Sequence, residues 1–126
     1  MSEHSEQCKV IKWFSLQYPD HHGCLFAIPN GTSLSGTAVQ RKIQGSKKKA
    51  EGLKAGVSDL FLMKGHKGFH GLFIEMKDKG KTASSVSKAQ REHIDLARER
   101  GYMADWCPGF ESAKELIENY MKVPRG

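Results

Sequence analysis

The chain lacks the features of a secreted, disulfide-built or membrane-spanning protein. Its three cysteines, Cys8, Cys24 and Cys107, are odd in number and widely spaced, so no disulfide framework is predicted and reduced thiols in a cytosolic compartment are expected. Each cysteine is expected to pack as a small apolar group. No run approaches ~18 consecutive apolar residues, so no membrane-spanning helix is predicted. The opening residues, Met1 to Gln7, have neither a basic start nor an apolar core, and a signal peptide is not expected. Neither G-x-x-x-x-G-K-[ST] nor G-x-G-x-x-G occurs, which disfavours a nucleotide-driven motor and a dinucleotide enzyme. The histidines do not build a zinc site. His66 and His70 fall in a glycine-rich connection, and His21, His22 and Cys24 lack a second ligand pair at standard spacing. There is no internal repeat, linker or low-complexity segment.

What is present is an ordinary globular composition, with 38% hydrophobic and 27% charged residues. The length predicts one domain over residues 1–126, able to bury a core without disulfides or a structural metal. Charge is unevenly placed. The net charge is +6, yet residues 41–81 alone hold 11 Lys and Arg against 4 Asp and Glu. A localised positive excess attracts a polyanion, nucleic acid first among them; the plain alternative is a solvated basic face.

Periodicity predicts helices and strands in turn. Val10, Ile11 and Phe14 place a helix over about 3–17, ended by Pro19. Residues 24–28, bounded by Gly23 and by Pro29-Asn30-Gly31, read as a strand. A weaker helix covers 37–51, interrupted at Gly45 and carrying the exposed run Lys47, Lys48, Lys49. Strands over 59–63 and 70–77 are close enough to pair as a hairpin. A helix over 88–100 turns Val86, Ala89, Gln90, Ile94 and Ala97 inward. A strand over 102–107 and a helix over 110–121 complete the chain. The order α-β-α-β-β-α-β-α predicts an α/β fold, a small mixed sheet flanked by helices on both faces.

The chemistry gathers on strand 70–77. Alternation puts Glu75 and Lys77 on the face of Phe73, opposite Leu72, Ile74 and Met76. Buried charges there need partners. Pairing with strand 59–63 brings Asp59 beside Glu75. Two carboxylates in contact repel unless one is protonated or a cation lies between them. Mg²⁺ suits such a pair, with Lys77 beside the metal-bound water. The E-x-K spacing alone says nothing, because nine Glu and fifteen Lys produce about one such pair by chance, and a plain ion pair accounts for it. The signal is the combination: an Asp opening one strand, E-x-K closing the next, and a basic surround.

Gln90 has two readings. Ser87-Lys-Ala-Gln90 fits a capping box, with Gln90 returning to the Ser87 backbone. Alternatively, its place between Val86 and Ile94 on the inner stripe points it toward Glu75. Glu3 and Glu6 share the stripe of Val10, where the helix dipole by itself favours an acidic residue.

Taken in order, these residues resemble the virus-type replication-repair nuclease (VRR-NUC) family, a branch of the PD-(D/E)xK nuclease superfamily. The series is Ile28-Pro-Asn-Gly31, Gly52-Leu-Lys-Ala-Gly-Val-Ser-Asp-Leu60, Gly71-Leu-Phe-Ile-Glu-Met-Lys77, Ser87-Lys-Ala-Gln90 and Gly101-Tyr102, and the likeness runs from about Glu6 to Tyr120. One departure is Ser58, where the family usually has Pro. The resemblance implies a restriction-endonuclease-like core and a Mg²⁺- or Mn²⁺-dependent endodeoxyribonuclease. It implies Asp59 and Glu75 as metal-binding carboxylates, the Met76 carbonyl as a third oxygen, and Lys77 as the residue that positions or activates the attacking water. Gln90 takes the place of the family's helix-borne Gln, and the acidic residue of the first helix falls on Glu6 in preference to Glu3. The short length resembles stand-alone viral or phage members. These act as homodimers on branched DNA such as Holliday junctions, which implies the cytoplasm of a bacterium or phage-infected host. Lys47, Lys48, Lys49 and Lys54 are then expected to hold DNA phosphates, and Trp13, Tyr18, Phe26 and the surroundings of Trp106 to supply an interface. Two rivals stand beside this reading: a non-catalytic DNA-binding protein using the same basic surface, and a duplex or flap cutter with the same chemistry.

Overall fold

Hydroxyl residues set where three of the helices begin. Ser2, Thr37 and Ser87 each precede a helix and close a capping box with the side chain three residues on. The helices are α1 (Glu3–Gln17), α2 (Ala38–Ala50), α3 (Lys88–Glu99) and α4 (Phe110–Met121). The strands are β1 (Leu25–Ala27), β2 (Leu60–Leu62), β3 (Leu72–Lys77) and β4 (Met103–Pro108). The structure, a computed structural model, describes residues 2–29 and 36–122. Asn30 and Gly31 of the predicted Pro29-Asn30-Gly31 turn lie outside the described residues.

The strands form one mixed sheet in the order β1-β2-β3-β4. β1 pairs antiparallel with β2 and β2 antiparallel with β3, and the β2–β3 hairpin narrows at a bridge between His66 and Phe69. β4 lies parallel to β3 after the crossover through α3. This is the expected α/β architecture, with helices on both faces. β1, β2 and β3 are shorter than predicted and β4 is shifted by one residue, so Asp59 falls just outside β2.

The two-residue period of β3 divides the interior. Leu72, Ile74 and Met76 join Leu60, Leu62 and Cys107 beneath α1 and α4, where Val10, Phe14, Ile117 and Tyr120 complete the larger core. Fully burying one such aliphatic side chain contributes about 1.5–3 kcal/mol. On the other face Phe73, Tyr102, Ala104 and Trp106 pack against Val86, Ile94 and Ala97. The Tyr120 hydroxyl donates to the Lys64 carbonyl at 2.6 Å, tying α4 to the β2–β3 connection.

Three expectations are corrected. α2 continues through Gly45 without a break and buries none of its residues. Cys8 is exposed, on the outer side of α1 with its Sγ 3.6 Å from His4 Nε2; burial holds for Cys107 and in part for Cys24. Trp13 and Tyr18 are not free surface. Their rings meet edge-on at 5.8 Å against the main core, and Trp13 also packs on Phe110 at 6.2 Å. Among the described residues no helix is long and apolar enough to cross a membrane.

Candidate active site

The alternation that buries Ile74 turns Phe73, Glu75 and Lys77 toward α3. Glu75 is 2% exposed, and its Oε1 accepts a 2.6 Å hydrogen bond from Gln90 Nε2. At the other end of the same amide, Gln90 Oε1 accepts from Lys77 Nζ at 2.9 Å and from the Ser87 backbone N–H at 2.9 Å. Lys77 Nζ is also 3.8 Å from Glu75 Oε1. The two sequence readings of Gln90 are therefore both present in one side chain. A capping box takes Glu or Gln alike. Only the amide also donates to a carboxylate at one end while accepting from an ammonium at the other.

Asp59 reaches the cluster through strand register. Leu60 pairs with Ile74, so one step further along the antiparallel ladder sets Asp59 opposite Glu75. The Met76 N–H donates to Asp59 Oδ2 at 2.8 Å, and the Asp59 carbonyl accepts the Ile28 N–H at 2.8 Å. Burial, followed by the charge of Asp59, pushes the Glu75 carboxyl up to about 8. Asp59 is raised as well, chiefly by burial, with the Met76 N–H and Lys77 working against the rise. Glu75 Oε2 is buried and has no hydrogen-bond partner among the described residues. A buried and a half-buried carboxyl side by side, both raised above the usual carboxylate range, match the hard oxygen donors of a divalent cation. Among the described residues no three His, Cys, Asp or Glu side chains form a metal cage. A cation here would take Asp59, Glu75, the Met76 carbonyl and water, a donor set that suits Mg²⁺ or Mn²⁺.

The acidic residues of α1 exchange places relative to expectation. Glu6 is buried, but its Oε2 accepts the Phe110 N–H at 3.2 Å and lies 3.9 Å from Lys9 Nζ. It supplies the acceptor that Gly109, at the start of α4, has no side chain to provide. Glu3 instead lies in the field of the cluster: its carboxyl is raised by burial and then by Asp59 and Asp78, and lowered by Lys77. Glu6 thus has a structural partner at the start of α4, while the charges of the cluster reach Glu3. Glu6→Ala is expected to lower stability by at least the 0.5–2 kcal/mol of a missing cap, leaving the turnover of folded molecules unchanged. Glu3→Gln is expected to leave the melting temperature in place and slow cleavage about tenfold, or 1.4 kcal/mol. Paired melts and single-turnover rates separate the two.

The basic residues divide. A groove of about 400 Å³ lined by Lys49, Leu53, Lys54, Gly56, Ser87 and Gln90 opens beside the Gln90 amide. Gly56 shapes it: at φ 85°, with a Cβ that would sit 2.3 Å from the Ala89 carbonyl oxygen, only glycine lets this loop close on α3. Lys47 and Lys48 stand on the exposed last turn of α2, away from that lining.

Two residues near the site, Ser58 and His93, carry no functional signal in the sequence reading. His93 is buried one turn after Gln90, with Nδ1 3.2 Å from Ser58 Oγ and its ring edge-on to Phe73 at 5.0 Å. Burial first, then Lys54, holds its pKa below the usual histidine value. The three-residue spacing from Gln90 is the signal that points to it.

A mixed sheet whose inner strand ends in Glu-x-Lys, with an Asp from the adjoining hairpin and a Gln from the crossover helix, defines a restriction-endonuclease-like protein of the PD-(D/E)xK nuclease type. Residues 1–111 match the VRR-NUC domain, and the chain belongs to that family. A VRR_NUC domain protein of known structure is similar to it with a TM-score of 0.80 at 25% sequence identity, over 98% of this chain and 90% of the other. No curated protein matches the sequence.

Proposed function

We propose that the protein is a Mg²⁺- or Mn²⁺-dependent endonuclease that hydrolyses phosphodiester bonds in branched DNA. The observation that carries this reading is the buried Glu75 carboxyl beside Asp59: its Oε1 meets Gln90 and lies 3.8 Å from Lys77, while its Oε2 has no hydrogen-bond partner among the described residues. A bound divalent cation would supply Lewis acidity and a nucleophilic water near neutral pH. Asp59 and Glu75 hold its oxygen donors in place. Lys77, aimed by Gln90 Oε1, offers a charged donor to the attacking water and to the phosphate oxygen that gains charge. Lys49 and Lys54 line the path of the strand toward that point.

Resolving a branched junction takes paired cuts, which need two equal sites. A two-fold dimer provides them. Phe26, 40% exposed on the edge strand, and Val39 and Ile43 on α2 offer apolar surface for it. Trp13 and Tyr18 are committed to the core. The test is cleavage of labelled four-way junctions, flaps, nicked DNA and plain duplex with and without Mg²⁺, alongside light scattering. Metal-dependent, symmetric cuts in the junction by a particle of twice 14.1 kDa are expected. DNA binding without cleavage of any substrate in Mg²⁺ or Mn²⁺ would favour the non-catalytic rival.

The basic surface makes its own prediction. Replacing Lys47, Lys48 and Lys49 together with Gln is expected to weaken binding and flatten its salt dependence. The slope falls by about 0.9 for each duplex phosphate that is no longer neutralised. The cleavage rate at saturating protein stays near wild type. An unchanged slope would leave the run as a solvated face.

A further inference from the structure

Ser58 is 1% exposed and immediately precedes Asp59. A buried hydroxyl needs a partner. Its Oγ lies 3.2 Å from His93 Nδ1, on a residue 35 positions along the chain. His93 lies one helical turn beyond Gln90 on α3. Its ring also meets Phe73, which shares a strand face with Glu75 two residues on. One imidazole thus touches the segment that carries Asp59, the strand that carries Glu75 and the helix that carries Gln90. Asp59 sits one residue outside the β2 ladder, where the Ile28 N–H holds its carbonyl and the Met76 N–H its carboxylate, and the Ser58 contact ties the same segment to α3 as well.

We infer that the Ser58–His93 hydrogen bond is a positioning contact that holds the Asp59 carboxylate in register with Glu75 and Gln90 for metal binding. The inference rests on the nuclease reading of the site, but it concerns the geometry of the two carboxylates before DNA arrives. Neither residue touches the reacting atoms. Both act through Asp59 and α3. A hydroxyl at position 58 makes this possible, because it can both donate and accept. Here the segment is tied to α3 by a side-chain bond.

The test uses the full chain without DNA first. Mn²⁺ affinity is measured by calorimetry for wild type, Ser58→Ala, His93→Phe and the double variant, with thermal melts of each. His93→Phe keeps a ring against Phe73 and removes Nδ1. His93→Asn keeps a polar atom near the Nδ1 position. Groups that orient metal ligands typically change affinity 10–100-fold. Ser58→Ala and His93→Phe are each expected to weaken Mn²⁺ binding about tenfold. The Mg²⁺ concentration for half-maximal cleavage should rise by a similar factor. The double variant should be no worse than either single, because both remove the same bond. His93→Asn should recover most of the affinity. Wild-type Mn²⁺ affinity and Mg²⁺ response in variants that merely melt lower would overturn the inference, as would fully additive effects. If His93→Phe does not fold, Ser58→Ala against Ser58→Thr, which keeps the hydroxyl, makes the same comparison. Wild-type protein that binds Mn²⁺ yet cuts no DNA would sink the nuclease reading, and the affinity series would still decide this one.

Discussion

Asp59→Asn, Glu75→Gln and Lys77→Ala are each expected to bring cleavage down by about a thousandfold while the protein remains folded and binds DNA. Removing a single preorganised charge-stabilising group from an active site costs about 10²–10³ in rate, and removing a metal ligand adds to that. Glu75→Gln is the most telling of the three. The glutamine is nearly isosteric, and it relieves the repulsion between the buried Glu75 carboxyl and the half-buried Asp59 carboxyl. The metal-free variant is therefore expected to be at least as stable as wild type at pH 8. If Glu75 were merely the ion-pair partner of Lys77, the same change would leave a half-buried ammonium unpaired and lower stability. Single-turnover rates with melts in chelator distinguish these outcomes. Near-wild-type cleavage by any one of the three variants removes that residue from the site.

The second large effect couples pH, stability and metal. The Glu75 carboxyl titrates at about 8 in the folded chain against 4.5 for the ordinary group, raised by burial and then by Asp59. Between those values the folded state holds a proton that the unfolded state has released. Stability from this group is thus present below about pH 4.5 and drains away as pH rises through about 8. The slope approaches about 1.4 kcal/mol per pH unit where the proton difference is one. A cation displaces that proton, so its affinity climbs over the same window. Melts in chelator should fall from pH 5 to 8, and the rise in melting temperature on adding Mg²⁺ should be larger at pH 8 than at pH 6. Glu75→Gln should flatten both trends. A wild-type slope that survives in this variant would show that other groups set it.

Much of this arrangement could be read from spacing. The period of β3 separated Ile74 from Glu75, and the short hairpin fixed Asp59 as the partner, because both depend on neighbours close in sequence. α1 and α4 followed from their apolar stripes. The parts that could not be read depend on distant partners. Glu6 bonds the Phe110 N–H across 104 positions, and nothing near Glu6 announces that α4 begins on a glycine. The Ser58–His93 contact is equally remote. α2 is a different case: Val39 and Ile43 are 68% and 51% exposed, and among the described residues α2 buries none of its side chains. Gln90 shows a different limit: the sequence offered two roles as alternatives, and one amide has enough donors and acceptors to fill both.

That double duty has a consequence for how the protein opens and closes. The first turn of a helix is where fraying is easiest, because its N–H groups have no partners within the helix. Here the side chain that secures that turn is also the one that aims Lys77 and bonds Glu75. Fraying at the start of α3 and dismantling of the catalytic cluster are therefore a single local unfolding event. The carboxyls and Lys77 stay on the sheet when that turn loosens, but they lose the amide that spans them.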